Sequence, residues 1–301
     1  LFGLPGSGRA MVYAALAKET GRFLCIVTPG EAEATRFAGD LNALGIPTAV
    51  FPARDYVLRP IEGTAREYEY RRLSVLGDIV GGRLQAVCVP DEGLTQYTTP
   101  RAEFCNNTRT LHPGDTVPRT ELTALLYNAG YARRAQVDGP GQFSIRGDIV
   151  DLYAPDMKLP VRMEFWGDEI DTMHSFDLAT QRRDEPIEKI YVSPAREVLF
   201  GLPGEAAELI RAAIKKARGK RRTALESCTA SDLAQLDGGA MPVNMDKYLS
   251  LRYPEPATIL DYFDDPLLIL EEPASLREAE RATAYRRSEE LSALLEDGVL
   301  A

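Results

Sequence analysis

Three times within residues 1–100 a segment of helical length runs into a short apolar stretch, and this alternation restricts the fold more than any other feature. Helices are expected over 11–18, 31–44 and 65–80, each followed by a strand, over 23–27, 48–51 and 86–89. Strands separated by helices imply a mostly parallel sheet covered on both faces, so this part reads as α/β. The run 67–72 within the third helix is heavily charged and reads as a solvated helix face.

Between 101 and 195 the rhythm changes to short alternating segments with turn signals. After a helix over 120–129, Gly139-Pro140-Gly141 opens a strand over 143–153, and a loop over 154–160 leads to a second strand, 161–166. Gly167-Asp168 then suits a type II′ turn into a returning strand over 169–176. From 196 to 301 helical patterns return, over 205–218 and 275–295, with the aliphatic run 267–270 between them. The expected organisation is an α/β domain, 1–100 and 196–301, interrupted by a β-rich insert, 101–195.

Composition narrows the function. With 301 residues and a net charge of −10, the chain does not grip nucleic acid by bulk electrostatics, although a local basic patch is compatible with it. No apolar run approaches a membrane span, and no signal-like segment follows Leu1, so a cytoplasmic protein without a membrane partner is expected. Cys25, Cys88, Cys105 and Cys228 are far apart, and His112 and His174 are the only histidines, which argues against a metal site. Cys25 and Cys88 fall in apolar runs and read as core residues.

At the amino-terminal end, Gly3-Leu4-Pro5-Gly6-Ser7-Gly8-Arg9-Ala10 follows the phosphate-loop pattern G-x-x-x-x-G-K-[ST] except at the two reactive positions. Arg9 carries a broad planar fork where a compact ammonium belongs, and Ala10 has no oxygen for Mg²⁺. Gly3, Gly6 and Gly8 suit either a decayed nucleotide loop or an ordinary turn before a helix. The run 267–270 ends in Glu271-Glu272, which resembles the end of a Walker B strand.

A candidate binding surface follows from strand periodicity. Along 161–166, Val161, Met163 and Phe165 point one way and Arg162, Glu164 and Trp166 the other. With the apolar set inward, the single Trp stands on the outer face beside two charges, and Arg and Trp are prominent among interface hot spots. Pairing with the preceding strand would bring Arg146 near Arg162. The competing reading leaves Trp166 at the edge of the core and the arginines solvated, or paired with Asp148 or Glu164.

The segments Gly141-Gln-Phe-Ser-Ile-Arg-Gly-Asp-Ile-Val-Asp-Leu-Tyr153, Pro160-Val-Arg-Met-Glu-Phe-Trp-Gly-Asp-Glu-Ile-Asp171 and Ser175-Phe-Asp-Leu-Ala-Thr-Gln-Arg182 closely resemble the bacterial transcription-repair coupling factor family (Mfd). The similarity is to its amino-terminal region, itself similar to the excision-repair protein UvrB. Arg71-Arg-Leu-Ser-Val-Leu76 and the stretch 259–272 fall in the same order, so the resemblance covers nearly the whole chain. It implies a helicase-like α/β domain with a β-rich insert that recruits UvrA, the contact carried by Arg146, Arg162, Glu164, Phe165 and Trp166. It implies further that RNA polymerase and DNA are bound through other domains of the longer protein, an ATP-dependent translocase, whose C-terminal region covers the UvrA-binding face. Departures from UvrB at Arg9, Ala10, Glu271 and Glu272, with a segment 56–70 too short for UvrB's DNA-clamping hairpin, imply that no nucleotide cofactor is used. The alternative is an active ATPase of the UvrB type that binds damaged DNA.

Overall fold

The computed structural model describes residues 3–59 and 66–300. The opening alternation is α1 (Gly6–Thr20), β1 (Leu24–Thr28), α2 (Glu31–Ala43), β2 (Thr48–Val50), α3 (Glu67–Val80) and β3 (Ala86–Pro90), followed by the short helices α4 (Asp91–Thr95) and α5 (Arg101–Asn106). The strands form a parallel sheet in the order β12-β1-β3-β2, where β12 (Leu267–Leu270) arrives from the other end of the chain. Every residue of β1 and β3 is buried, because helices cover both faces. Leu24, Ile26, Ala86 and Cys88 face α1 and α2, while Cys25, Val27, Val87 and Val89 meet Leu73 and Leu76 of α3. Cys25 and Cys88 are thus core residues, and burial pushes each thiol up to about 12.

The insert contains β4 (Arg109–Leu111), α6 (Arg119–Asn128), β5 (Ala132–Arg133), β6 (Gln142–Arg146), β7 (Ile149–Tyr153), β8 (Val161–Trp166), β9 (Glu169–Phe176), β10 (Arg183–Pro186) and β11 (Ile190–Val192). Six of these strands form one sheet in the order β10-β9-β8-β7-β6-β5, antiparallel except for the pair β5-β6. β4 and β11 form a separate ribbon. Phe143, Val150, Leu152, Val161, Met163 and Phe165 share a core with Leu122 and Leu126 of α6. Phe104 of α5 packs instead into the core of the parallel sheet, so the strands of the insert run only from Arg109 to Val192.

Past the insert, α7 (Pro203–Lys216), α8 (Gly219–Asp237) and α9 (Leu249–Arg252) form a helical unit around Ala206, Ile210, Leu236, Met245 and Tyr248. A 3₁₀ turn at Ile259–Tyr262, closed by a Thr258–Asp261 capping box, leads to β12 and then to α10 (Pro273–Glu296).

Four expectations are corrected. The helix expected over 11–18 starts at Gly6, where the Pro5 carbonyl accepts the Arg9 N–H at 3.0 Å. The single strand expected over 143–153 is a hairpin, β6 and β7, turned at Gly147-Asp148 with Gly147 at φ +61°. The charged run 67–72 is a solvated face only in part: Glu67, Tyr68 and Arg71 reach solvent, but Arg72 is fully buried and Glu69 nearly so. Arg72 is held because its Nε donates to Glu197 at 2.7 Å and its Nη1 to the Pro52 carbonyl at 3.0 Å, satisfying the charge inside the fold. Finally, the helix expected over 65–80 begins at Glu67. Ala65, and residues 60–65 of the segment whose shortness implied a missing hairpin, lie outside the described residues.

Candidate functional site

The outer face of the insert sheet is built by cross-strand register. Ser144 of β6, Asp151 of β7 and Arg162 of β8 lie in one row, with Arg146, at the end of β6, two residues further along. Arg146 and Arg162 therefore stand on strands separated by β7, and the residue between them is an acid. Asp151 is fully buried and accepts from both: Arg162 Nε at 2.6 Å and Nη2 at 2.9 Å, and Arg146 Nη2 at 2.6 Å. The expected proximity of the two arginines holds, but a shared carboxylate rather than direct strand pairing produces it.

The two arginines differ in what they offer. The Arg162 side chain is 13% exposed, lies 4.6 Å from the Phe176 ring and also donates to the Gln181 carbonyl at 3.3 Å. The hydrogen bond to Asp151 holds its guanidinium above the ordinary range against a desolvation cost, so it stays charged. Arg146 is 46% exposed and reaches solvent over the same acid. Glu164 pairs with Arg183 of β10 and accepts from the Thr172 hydroxyl at 3.3 Å. Asp148 is engaged elsewhere, by Arg119 of α6 at 2.5 Å.

Trp166 ends β8 and is 83% exposed, the most solvated large apolar side chain described. Phe165, its neighbour, points inward into the core and is 5% exposed, so it positions Trp166 rather than sharing its face. What results is a ridge with a rigid cationic base and a free indole at the edge, suited to a partner surface that brings acceptors and an apolar pocket. Sequence reasoning missed Asp151, Phe176 and Gln181. The legible signal was a lone acid within the apolar run Ile149-Val150-Asp151-Leu152.

The residues of the altered phosphate loop also come together. Gly6 and Gly8 lie in the first turn of α1, and of the loop glycines only Gly3 takes a positive φ, +79°. The Arg36 guanidinium stands 3.3 Å from where a Gly6 Cβ would lie. Because β12 is parallel to β1, it delivers Glu271 and Glu272 beside α1. Arg9 Nη1 donates to Glu271 at 2.6 Å and to Glu272 at 2.7 Å, and the Tyr13 hydroxyl donates to the other oxygen of Glu271. Glu271 is 2% exposed, and Ala10 is fully buried in the core beneath α2. Burial and donation to Glu271 push the Tyr13 hydroxyl well above its ordinary range. Arg9 and Glu271 thus satisfy one another inside the protein.

Among the described residues no helix is long and apolar enough to cross a membrane. Residues 110–198 match the family model of the UvrB interaction domain. Along 99% of its length the chain is 30% identical to the transcription-repair-coupling factor of Bacillus subtilis (strain 168), and along 98% it is 24% identical to that of Staphylococcus aureus (strain MRSA252). It spans only 26% of either relative's length. The segment 110–198 contains the sheet that carries Arg146, Asp151, Arg162 and Trp166, so the part of the chain similar to the UvrB interaction domain is the part that builds this face, within a chain similar along nearly its whole length to the amino-acid sequences of transcription-repair-coupling factors.

Proposed function

We propose that this chain is the non-catalytic recruitment module of a transcription-repair coupling factor and that it binds UvrA through the outer face of its insert. The observation that carries this reading is the exposed Trp166 at the end of the strand whose outward-facing Arg162 shares the buried Asp151 with Arg146, inside the segment that matches the UvrB interaction domain. RNA polymerase and DNA are left to other parts of the longer protein, whose C-terminal region covers the same face until the factor engages a polymerase.

The competing reading, an active ATPase of the UvrB type, is disfavoured by the Arg9–Glu271 pair, which occupies the cation and anion positions of a nucleotide site with the protein's own charges. Mg-ATP titrated into the chain gives no binding at micromolar concentration and no turnover. Measurable turnover would revive the ATPase.

Calorimetric titration with UvrA tests the proposal directly. Trp166→Ala weakens binding by at least about 1 kcal/mol, and the Arg146→Ala, Trp166→Ala double variant weakens it further. Undiminished binding by the double variant would remove this face from the interaction.

A further inference from the structure

A second surface lies at the other end of the insert sheet. β5 pairs with the first residues of β6, Gln142 and Phe143, whereas Arg146 ends that strand. Beside β5 a cleft of about 560 Å³ opens between the passage 196–203, the start of α3 and the loop 239–246. Arg133, Arg134 and Arg196 line it, together with Arg66, whose charge is paired with Glu69, and Asp246, which is paired with Arg54. In a chain of net charge −10 such a cluster is a local reversal of sign. The same cleft is lined by exposed apolar side chains: Leu202, Met241 and Val243 are 48%, 39% and 42% exposed.

Two further features describe what would fill it. Arg196 Nη1 is buried without a hydrogen-bond partner among the described residues. Its nearest carboxylate, Glu69, is 3.8 Å away and already accepts from Arg66 at 2.7 Å and from the Glu197 N–H at 3.0 Å. With its nearest carboxylate distant and already engaged, the 30% exposed Arg196 side chain carries a charge that a carboxylate entering the cleft would offset. At the strand, Ala132 and Arg134 donate to the carbonyls of Gly141 and Phe143 at 2.9 and 2.8 Å. The peptide groups of Arg133 between them consequently face away from β6, as an edge for another extended chain.

We propose that this cleft docks an extended peptide segment of a partner protein in which acidic residues alternate with large apolar ones. Extended side chains alternate sides, so one set meets the arginines while the other covers Leu202, Met241 and Val243. A polynucleotide fits less well, since it would be repelled by the net charge and would leave the apolar side in water. A small anion would satisfy the arginines alone.

Selection of a displayed random-peptide library on the intact chain, with counter-selection on an Arg133→Glu, Arg134→Glu variant, tests this. The enriched peptides are expected to interleave Asp or Glu with Leu, Ile or Phe. By fluorescence anisotropy the best of them loses at least about tenfold in affinity to the double variant and to Val243→Asp, and less to Arg134→Gln, while all three variants melt with the parent chain. Enriched peptides without excess acid, no enrichment at all, or affinity unchanged by both the charge reversal and Val243→Asp would overturn the proposal. So would displacement of the peptide by a labelled oligothymidylate at lower concentration than by the same peptide unlabelled.

Discussion

Asp151 is the residue on which the insert's outer face depends. A fully buried carboxylate is costly unless its lone pairs are filled, and here two arginines fill them. Asp151→Ala leaves the mostly buried Arg162 without its counter-charge and is expected to destabilise the chain by about 3 kcal/mol or more in urea unfolding. Arg162→Ala loses stability as well as any partner contact, because Asp151 keeps only Arg146. Arg162 is therefore as much a part of the fold as of the candidate surface, its side chain 13% exposed and bonded at two atoms to a buried acid. Trp166→Ala separates the two roles: with 83% of the side chain in water, its unfolding free energy should stay within about 0.5 kcal/mol of the parent's. At the other site, Arg9→Ala strands Glu271 with only the Tyr13 hydroxyl and is expected to cost about 2 kcal/mol, read from the same urea curves.

At the scale of elements, the outer face of the insert is built from two hairpins, each turned at a Gly-Asp pair. Gly147-Asp148 joins β6 to β7 and Gly167-Asp168 joins β8 to β9, with φ of +61° and +64° at the glycines. The turns are tied together, since the Phe165 N–H donates to the Asp148 carbonyl at 2.8 Å. A Cβ at either glycine would meet nothing within 4 Å, so the cost of a side chain there is backbone strain alone. Gly167→Val should therefore destabilise by about 1 to 2 kcal/mol and, by moving Trp166, reduce UvrA binding more than it reduces stability. Comparing titration with melting of that variant decides the point. Gly147-Asp148 was as legible as Gly167-Asp168, but it lay inside a run of strand-forming residues, so 143–153 read as one long strand. By contrast the alternation Val161, Met163, Phe165 inward and Arg162, Glu164, Trp166 outward was legible without the fold, because a half-covered sheet leaves a period of two in its sequence.

On the scale of the whole molecule, the parallel sheet, the insert and the helical unit meet at a buried cluster of charges. Arg72 pairs with Glu197, just past the insert; Arg54 pairs with Asp246 at 2.8 Å; and Glu69 accepts from the Glu197 N–H. Burial holds the Glu69 carboxyl above its ordinary 4.5, against the pull of Arg54 and Arg66. An acid whose pKa is raised by folding binds a proton that the unfolded chain has released. Its contribution therefore favours the fold at low pH and is lost as pH rises from about 4.5 through the raised value. Glu69→Gln removes that dependence, so from mildly acidic to neutral pH the variant should gain stability relative to the parent, as read from urea midpoints. A relative loss over that range would mean that the arginines, not burial, dominate at Glu69.

The sequence by itself determined the local periods: helix and strand alternating in the first hundred residues, a two-residue period across the insert, and a phosphate loop without its reactive groups. These are properties of short stretches, and short-range sterics and burial write them directly into residue order. Tertiary structure alone decided which charges were internal. Arg9 meets Glu271 across 262 positions and Arg72 meets Glu197 across 125. No local pattern distinguishes such charges from solvated ones, because burial supplies both the cost of each charge and the partner that offsets it.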